Sequence, residues 1–186
     1  MSSFKREKID GGLEAVQKRI RKPGTVDIGI IDAGKHPSGD ITIAHIGFVH
    51  EFGGVIKHPG GTPYKIMANG QARFVPLGTK GIAGTTQPHD ITIPERSFLR
   101  ATMVEQKKEI ISFQKSVLPK IISGDMTTEK ALGLLGELVS GMIKQKIVKG
   151  PFQELAASTK RAKAPKTKPL IDTGQLKNSI TYSVNE

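Results

Sequence analysis

Residues 169–184 read PLIDTGQLKNSITYSV. Pro169 stops a Lys-rich polar segment, and Asp172 or Thr173 is placed to accept a hydrogen bond from the start of a short helix. Leu176 and Ile180 then fall on one side, and Thr181 to Val184 alternates as a strand. An unfolded tail needs none of this punctuation. Residues 169–186 are therefore expected to fold back as a cap helix and a strand that closes a sheet.

Near the other end of the chain, "TVDIGII" alternates with Val26, Ile28 and Ile30 on one face, which predicts another strand. Ahead of it, Ile9, Leu13, Val16 and Ile20 recur at helical spacing, which predicts an amphipathic helix ended by Pro23-Gly24 and an N-terminal helical segment 1–22. After the loop "GKHPSG", Asp40 is placed to cap a helix over Ile41 to Phe52. Ile41, Ala44, His45, Phe48, Val49 and Phe52 share its apolar face, and Gly53-Gly54 ends it.

Residues 55–93 read as an extended excursion. "YKIM" and "ARFVPL" flank Ala68-Asn69-Gly70-Gln71, and Asn-Gly between apolar runs is the strongest short hairpin signal. The Gly-rich loop "GTKGIAGTTQ" and the strand "HDITI" complete it, and such a hairpin is expected to stand out from the body. Pro94 then opens a long helix with Phe98, Met103, Ile110, Phe113 and Val117 on its buried side and Pro119 as a kink or end. Gly124-Asp125 breaks the chain. Thr127 or Thr128 caps a further helix striped by Ala131, Leu134, Leu135, Leu138, Met142 and Ile143, ending near Lys149-Gly150. Residues 151–168 have almost nothing to bury and are expected to be mobile.

With 186 residues the chain suits a single domain, 1–186. The expected class is α+β: a small antiparallel or mixed sheet with a projecting β-hairpin, packed against two or three longer helices. No run approaches the roughly 20 apolar residues that a membrane span requires, and "MSSFKREKID" lacks the apolar centre of a secretion signal. The absence of Cys excludes disulfides and thiolate metal sites.

The net charge is +11, and two segments carry it. Residues 1–22 hold seven Lys/Arg against three acids, and residues 144–168 hold eight against one. Clustered cations favour contact with a polyanion, while a solvated surface explains charge equally well. Lys144, Lys146, Lys149, Lys160, Arg161, Lys163, Lys166 and Lys168 are the candidate DNA or partner contacts. Arg96 and Arg100 sit four apart and add a second pair. Facing nucleic acid is one reading of these two; solvation or intramolecular pairing, with Glu95 at hand, is the weightier one.

Chemistry has little support. "HEFGG" puts Gly54 where a zinc hydrolase motif needs its second His, and His45 and His50 would point roughly 140° apart on a helix. "HPGGTPY" matches neither phosphate-binding fingerprint, and no G-x-S-x-G elbow is present. The expectation is no enzyme, no metal and no cofactor.

Four pieces nevertheless line up in order: "HEFGG" (50–54), "HPGGTPY" (58–64), "ITIPERSFLRAT" (91–102) and "KPLIDTGQLKNSITYSV" (168–184). Together, over about residues 25–184, they resemble the virion morphogenesis proteins of tailed bacteriophages, also described as neck, tail-completion or tail-component proteins. The residues that carry the resemblance, His50, Glu51, Phe52, Gly53, Pro94, Phe98, Leu99, Asp172, Thr173, Gly174 and Leu176, are expected to define the subunit fold. The resemblance implies a virion protein, found in host cytoplasm during assembly, that forms a six-fold or twelve-fold ring at the head-tail junction. Implied partners are further copies of itself, tail terminator or tail tube proteins, head completion or connector proteins, and phage DNA held without sequence preference in a channel. The competing expectation is a sequence-independent DNA-binding protein of the cytoplasm.

Overall fold

A computed structural model of the chain describes residues 12–21, 24–31, 34–35, 40–165 and 167–185. The class is α+β, with seven helices among the described residues and small antiparallel sheets. Strand β1 (Thr25–Ile30) pairs with the C-terminal strand β7 (Ile180–Asn185) in full register from Thr25 opposite Asn185 to Ile30 opposite Ile180. The expected closure of a sheet by the C-terminus is thus present, with Val26, Ile28 and Ile30 turned toward the core.

The core is built on the longest helix, α5 (Thr128–Lys149), which touches both strands of this ribbon and three other helices. Thr127 caps it by accepting from the Lys130 N–H at 3.1 Å. Its buried stripe is Ala131, Leu135, Val139, Ile143 and Ile147, so the apolar face runs one residue out of phase with part of the expected stripe. Leu134 is exposed, and Leu138 and Met142 are half-buried. Burying side chains such as Val139, Ile143 and Ile147 stabilises by about 1.5–3 kcal/mol each. Phe98, Ile110, Leu170, Leu176 and Ile180 join them in one cluster.

Several expectations need correction. The helix expected from Pro94 starts five residues later as α3 (Leu99–Glu105), breaks at Gln106 and resumes as α4 (Lys107–Ser123), which contains Pro119 and ends at left-handed Gly124. Pro94 to Ser97 are non-helical because a buried carboxylate, not the proline, organises the helix start. Met103 lies on the exposed side. The helix over 41–52 is α2 (Ile43–Phe52), capped by Thr42 rather than Asp40; Thr42 Oγ1 accepts from the His45 N–H at 3.1 Å, and Asp40 pairs with Lys35.

Helix α2 is also rotated from the expected orientation. Ile43, Gly47 and Glu51 face inward, leaving Ile41, Phe48 and Phe52 exposed. The Ile30 side chain fills the space beside Gly47, its Cδ1 2.2 Å from where a Cβ would stand, and Glu51 on the same face is held by several donors.

Of the N-terminal helix, α1 (Gly12–Arg21) is described; Ile9, the Ile20 side chain and Pro23 lie outside the described residues, as does most of "GKHPSG". Leu13, expected on the apolar face, is exposed. Within 151–168, the segment expected to be mobile, stands the short helix α6 (Ala157–Lys163). The cap helix α7 (Gln175–Asn178) has left-handed Gly174 at its cap position, with Thr173 Oγ1 3.4 Å from the Gln175 N–H. Asp172 is not the cap; Leu176 and Ile180 are buried as expected.

Residues 54–93 form the projecting arm. Strands β2 (Gly54–His58) and β6 (His89–Ile93) make a two-stranded ribbon at its base. Beyond it, β3 (Pro63–Ile66) is the centre of a three-stranded tip between β4 (Ala72–Phe74) and β5 (Gly84–Thr85). The Asn69-Gly70 turn closes as expected, with the Gly70 N–H donating to Met67 O and the Gln71 N–H to Asn69 Oδ1. Arm strands pack chiefly on one another.

Candidate functional site

The motif residues meet at the root of the arm, around Glu51. This carboxylate is 2% exposed and carries a full set of donors. Its Oε2 accepts from the Phe98 and Leu99 N–H groups at 2.8 and 2.9 Å. Its Oε1 accepts from Ser97 Oγ at 2.7 Å, the Arg100 N–H at 3.0 Å and Arg100 Nε at 3.1 Å. Glu51 therefore caps α3 from another element, supplying the acceptor that Phe98, at the cap position, lacks. A negative charge there also complements the helix dipole.

Charge balance explains why the site tolerates burial. Burial raises the Glu51 pKa, but hydrogen bonds from the Leu99 N–H, Ser97 hydroxyl and the Arg100 and Phe98 N–H groups outweigh it, holding the carboxyl below its ordinary value. Arg100 continues the clasp. Its Nη2 donates to Glu51 O and to Glu95 Oε1, and its guanidinium carbon lies 4.4 Å from the Phe52 ring centroid.

Gly53 completes the junction. Its φ of 71° is left-handed, and a Cβ would stand 2.8 Å from Glu95 N and 2.9 Å from Ile93 O. The "HEFGG" and "ITIPERSFLRAT" pieces are thus two halves of one joint that fixes the arm to the body. Sequence reading picked out these residues without their shared role. The available signal was a lone acid inside the apolar run "FVHEFGG", since a buried charge requires partners.

Arg96 is 4% exposed, and its Nε donates to Gln153 O at 3.1 Å. As a contact for DNA it is corrected: the side chain is a buried tie between the joint and the segment after α5. Arg100 is partly exposed but engaged with two carboxylates, in keeping with the intramolecular reading that included Glu95.

His50 stands beside this joint, against a cavity of about 280 Å³ shared with Leu155, Lys163 and Gln175. Burial, and then the charges of Arg96 and Lys163, hold its pKa below the usual histidine value. Its Nδ1 and Gln175 Oε1 are buried without a protein partner among the described residues.

The candidate lysines do not form one free patch. Lys146 donates to both oxygens of Glu105 at 2.6 and 2.8 Å, Lys160 pairs with Glu154, and Lys163 donates to Ile171 O at 2.8 Å. Lys144 is half-buried, whereas Lys149, Arg161 and Lys168 are exposed; Lys166 lies outside the described residues. Among the described residues no group of His, Cys, Asp or Glu is arranged to hold a metal ion. No helix is long and apolar enough to cross a membrane among them either.

Comparison with protein-family models, with curated proteins and with solved structures gives no match for this chain.

Proposed function

We propose that the chain is a structural virion protein of a tailed bacteriophage, one subunit of a ring at the head-tail junction that joins tail to head and surrounds the DNA channel. The observation that carries this reading is the arm at residues 54–93, which holds exposed Val55, Ile56, Ile66, Met67, Phe74, Leu77, Ile82 and Ile91. So many exposed apolar side chains on one small arm mark it as a protein contact. The joint around Glu51 supports the same role, because an arm that transmits binding must be held rigidly to its body. The four ordered motifs support it further, three of them lying in the joint and arm and the fourth in the cap helix and closing strand.

In this role the protein performs no reaction. Partners are further copies of itself, the neighbouring tail and head rings, and DNA, which exposed Arg161 and Lys168 would touch through phosphates without reading bases. The test is a mass-spectrometric inventory of purified particles together with electron microscopy of particles made without this protein. Its presence in particles and unjoined heads and tails in its absence are expected; normal infectious joints would defeat the proposal. Tight, salt-sensitive DNA binding by a chain absent from particles would instead identify a cytoplasmic DNA-binding protein.

A further inference from the structure

We infer that the arm of one copy docks into the groove between α3, α4 and α5 of a second copy, its cationic tip against Glu109 and Glu137. The inference rests on the ring reading and names its contact.

The tip is too thin to enclose a core, since small isolated sheets are marginal in water without a packed face. Alternation gives it two distinct faces. Tyr64 lies opposite Phe74 on one, with Ile66 beside them; Lys65 lies opposite Arg73 on the other. Like charges directly across strands repel, so this pairing is unfavourable unless acids cover it. Residues 54–93 hold four Lys/Arg, Lys57, Lys65, Arg73 and Lys80, against the one acid Asp90. None of the four is in an ion pair among the described residues.

The body offers the complement. A groove of about 600 Å³ runs between these helices, floored by half-buried Leu138 and Met142. Glu105 at its rim is already taken by Lys146, but exposed Glu109 and Glu137 have no ion-pair partner among the described residues. With Lys146 spent on Glu105, the unpaired charges lining this groove are Glu109 and Glu137 against Lys149, which in a chain of net charge +11 makes it an acidic counterpart for the cationic face of the arm. The two surfaces are different, so the contact is head-to-tail, and repeated head-to-tail contact closes into a ring or grows into a filament.

The experiment is sedimentation of the full chain alongside Lys65→Glu/Arg73→Glu, Glu109→Lys/Glu137→Lys and all four changes together. Arg73, Glu109 and Glu137 are exposed and Lys65 is half-buried, and circular dichroism and thermal unfolding verify the fold of each variant. Expected are a closed wild-type oligomer, association at least about tenfold weaker for each double variant, and recovery in the fourfold variant. The chain lacks Cys, so Lys65→Cys and Glu137→Cys chains, mixed with a bifunctional maleimide, should cross-link to each other. Wild-type oligomers that survive the arm reversal overturn the docking inference and leave the ring reading standing. Loss without recovery, or arm-to-arm cross-links in place of arm-to-groove ones, also overturns it. A chain that stays monomeric and is absent from particles removes the ring reading itself.

Discussion

Phe98 and Phe74 are the same residue in opposite circumstances. Phe98, at the joint, is fully buried under the Glu51 clasp; Phe74, in the arm tip, is 67% exposed. Around Phe98, the clasp donors and acceptors are matched within the chain, while around Phe74 apolar area and paired cations are left open. The joint is finished in one copy and the arm is not. A region that completes its own interactions serves the fold, and one that leaves them incomplete serves an encounter with something else.

The sharpest way to break this contrast is to truncate both rings. Phe98→Ala should cost about 3–5 kcal/mol in chemical denaturation, the range for emptying a core position. A cost below 1 kcal/mol would mean that the joint is not part of the cooperative core.

The next largest effect is expected at the clasp. Glu51→Gln keeps the shape but removes the charge that several donors share, and should cost about 2 kcal/mol by the same measurement. The wild-type folded pKa lies below the unfolded one, so the stabilisation is complete above the ordinary value of 4.5 and is lost as pH falls from there through the folded value. Glu51→Gln should flatten that acid limb of the stability curve.

His50 adds an earlier, smaller limb. A buried histidine whose pKa is depressed favours the fold fully above its ordinary 6.5 and loses that contribution as pH falls from there toward the folded value. Stability should therefore start to decline near pH 6.5, and His50→Gln should remove this first decline while leaving the one from Glu51. Unfolding curves from about pH 2 to pH 8 would check both, and an unchanged profile in the variant would exclude His50 as the source.

The smallest stability effect belongs to the arm. Phe74→Ala should change unfolding by no more than about 0.5 kcal/mol, as exposed positions do. A larger loss would place Phe74 in a core of its own and erase the contrast with Phe98.

Much of the fold was legible because its signals are local. Asn69-Gly70 closes the hairpin, Thr127 caps α5, Gly124 ends α4, and the alternation in 25–30 and 180–184 builds the ribbon that joins the two ends of the described chain. These depend on turn chemistry and on side-chain period, which neighbouring residues settle among themselves. The candidate site was legible only as a set of residues. Helix α2 is apolar nearly all round, so periodicity could not choose its inner face; packing against Ile30 and the donors gathered on Glu51 did. The start of α3 was misplaced for a related reason, because its cap comes from Glu51, 48 residues before Leu99.

The sequence by itself determined the α+β class, the position of the arm, the two strands near the ends of the chain and the ends of the longest helix; their pairing came with the fold. Only the tertiary structure decided that Glu51, Arg96, Phe98 and Arg100 form one joint, and which candidate cations remain free. The reason is physical: a cap or a turn is satisfied within a few residues, whereas a buried charge is satisfied by whichever distant groups the packed chain brings to it.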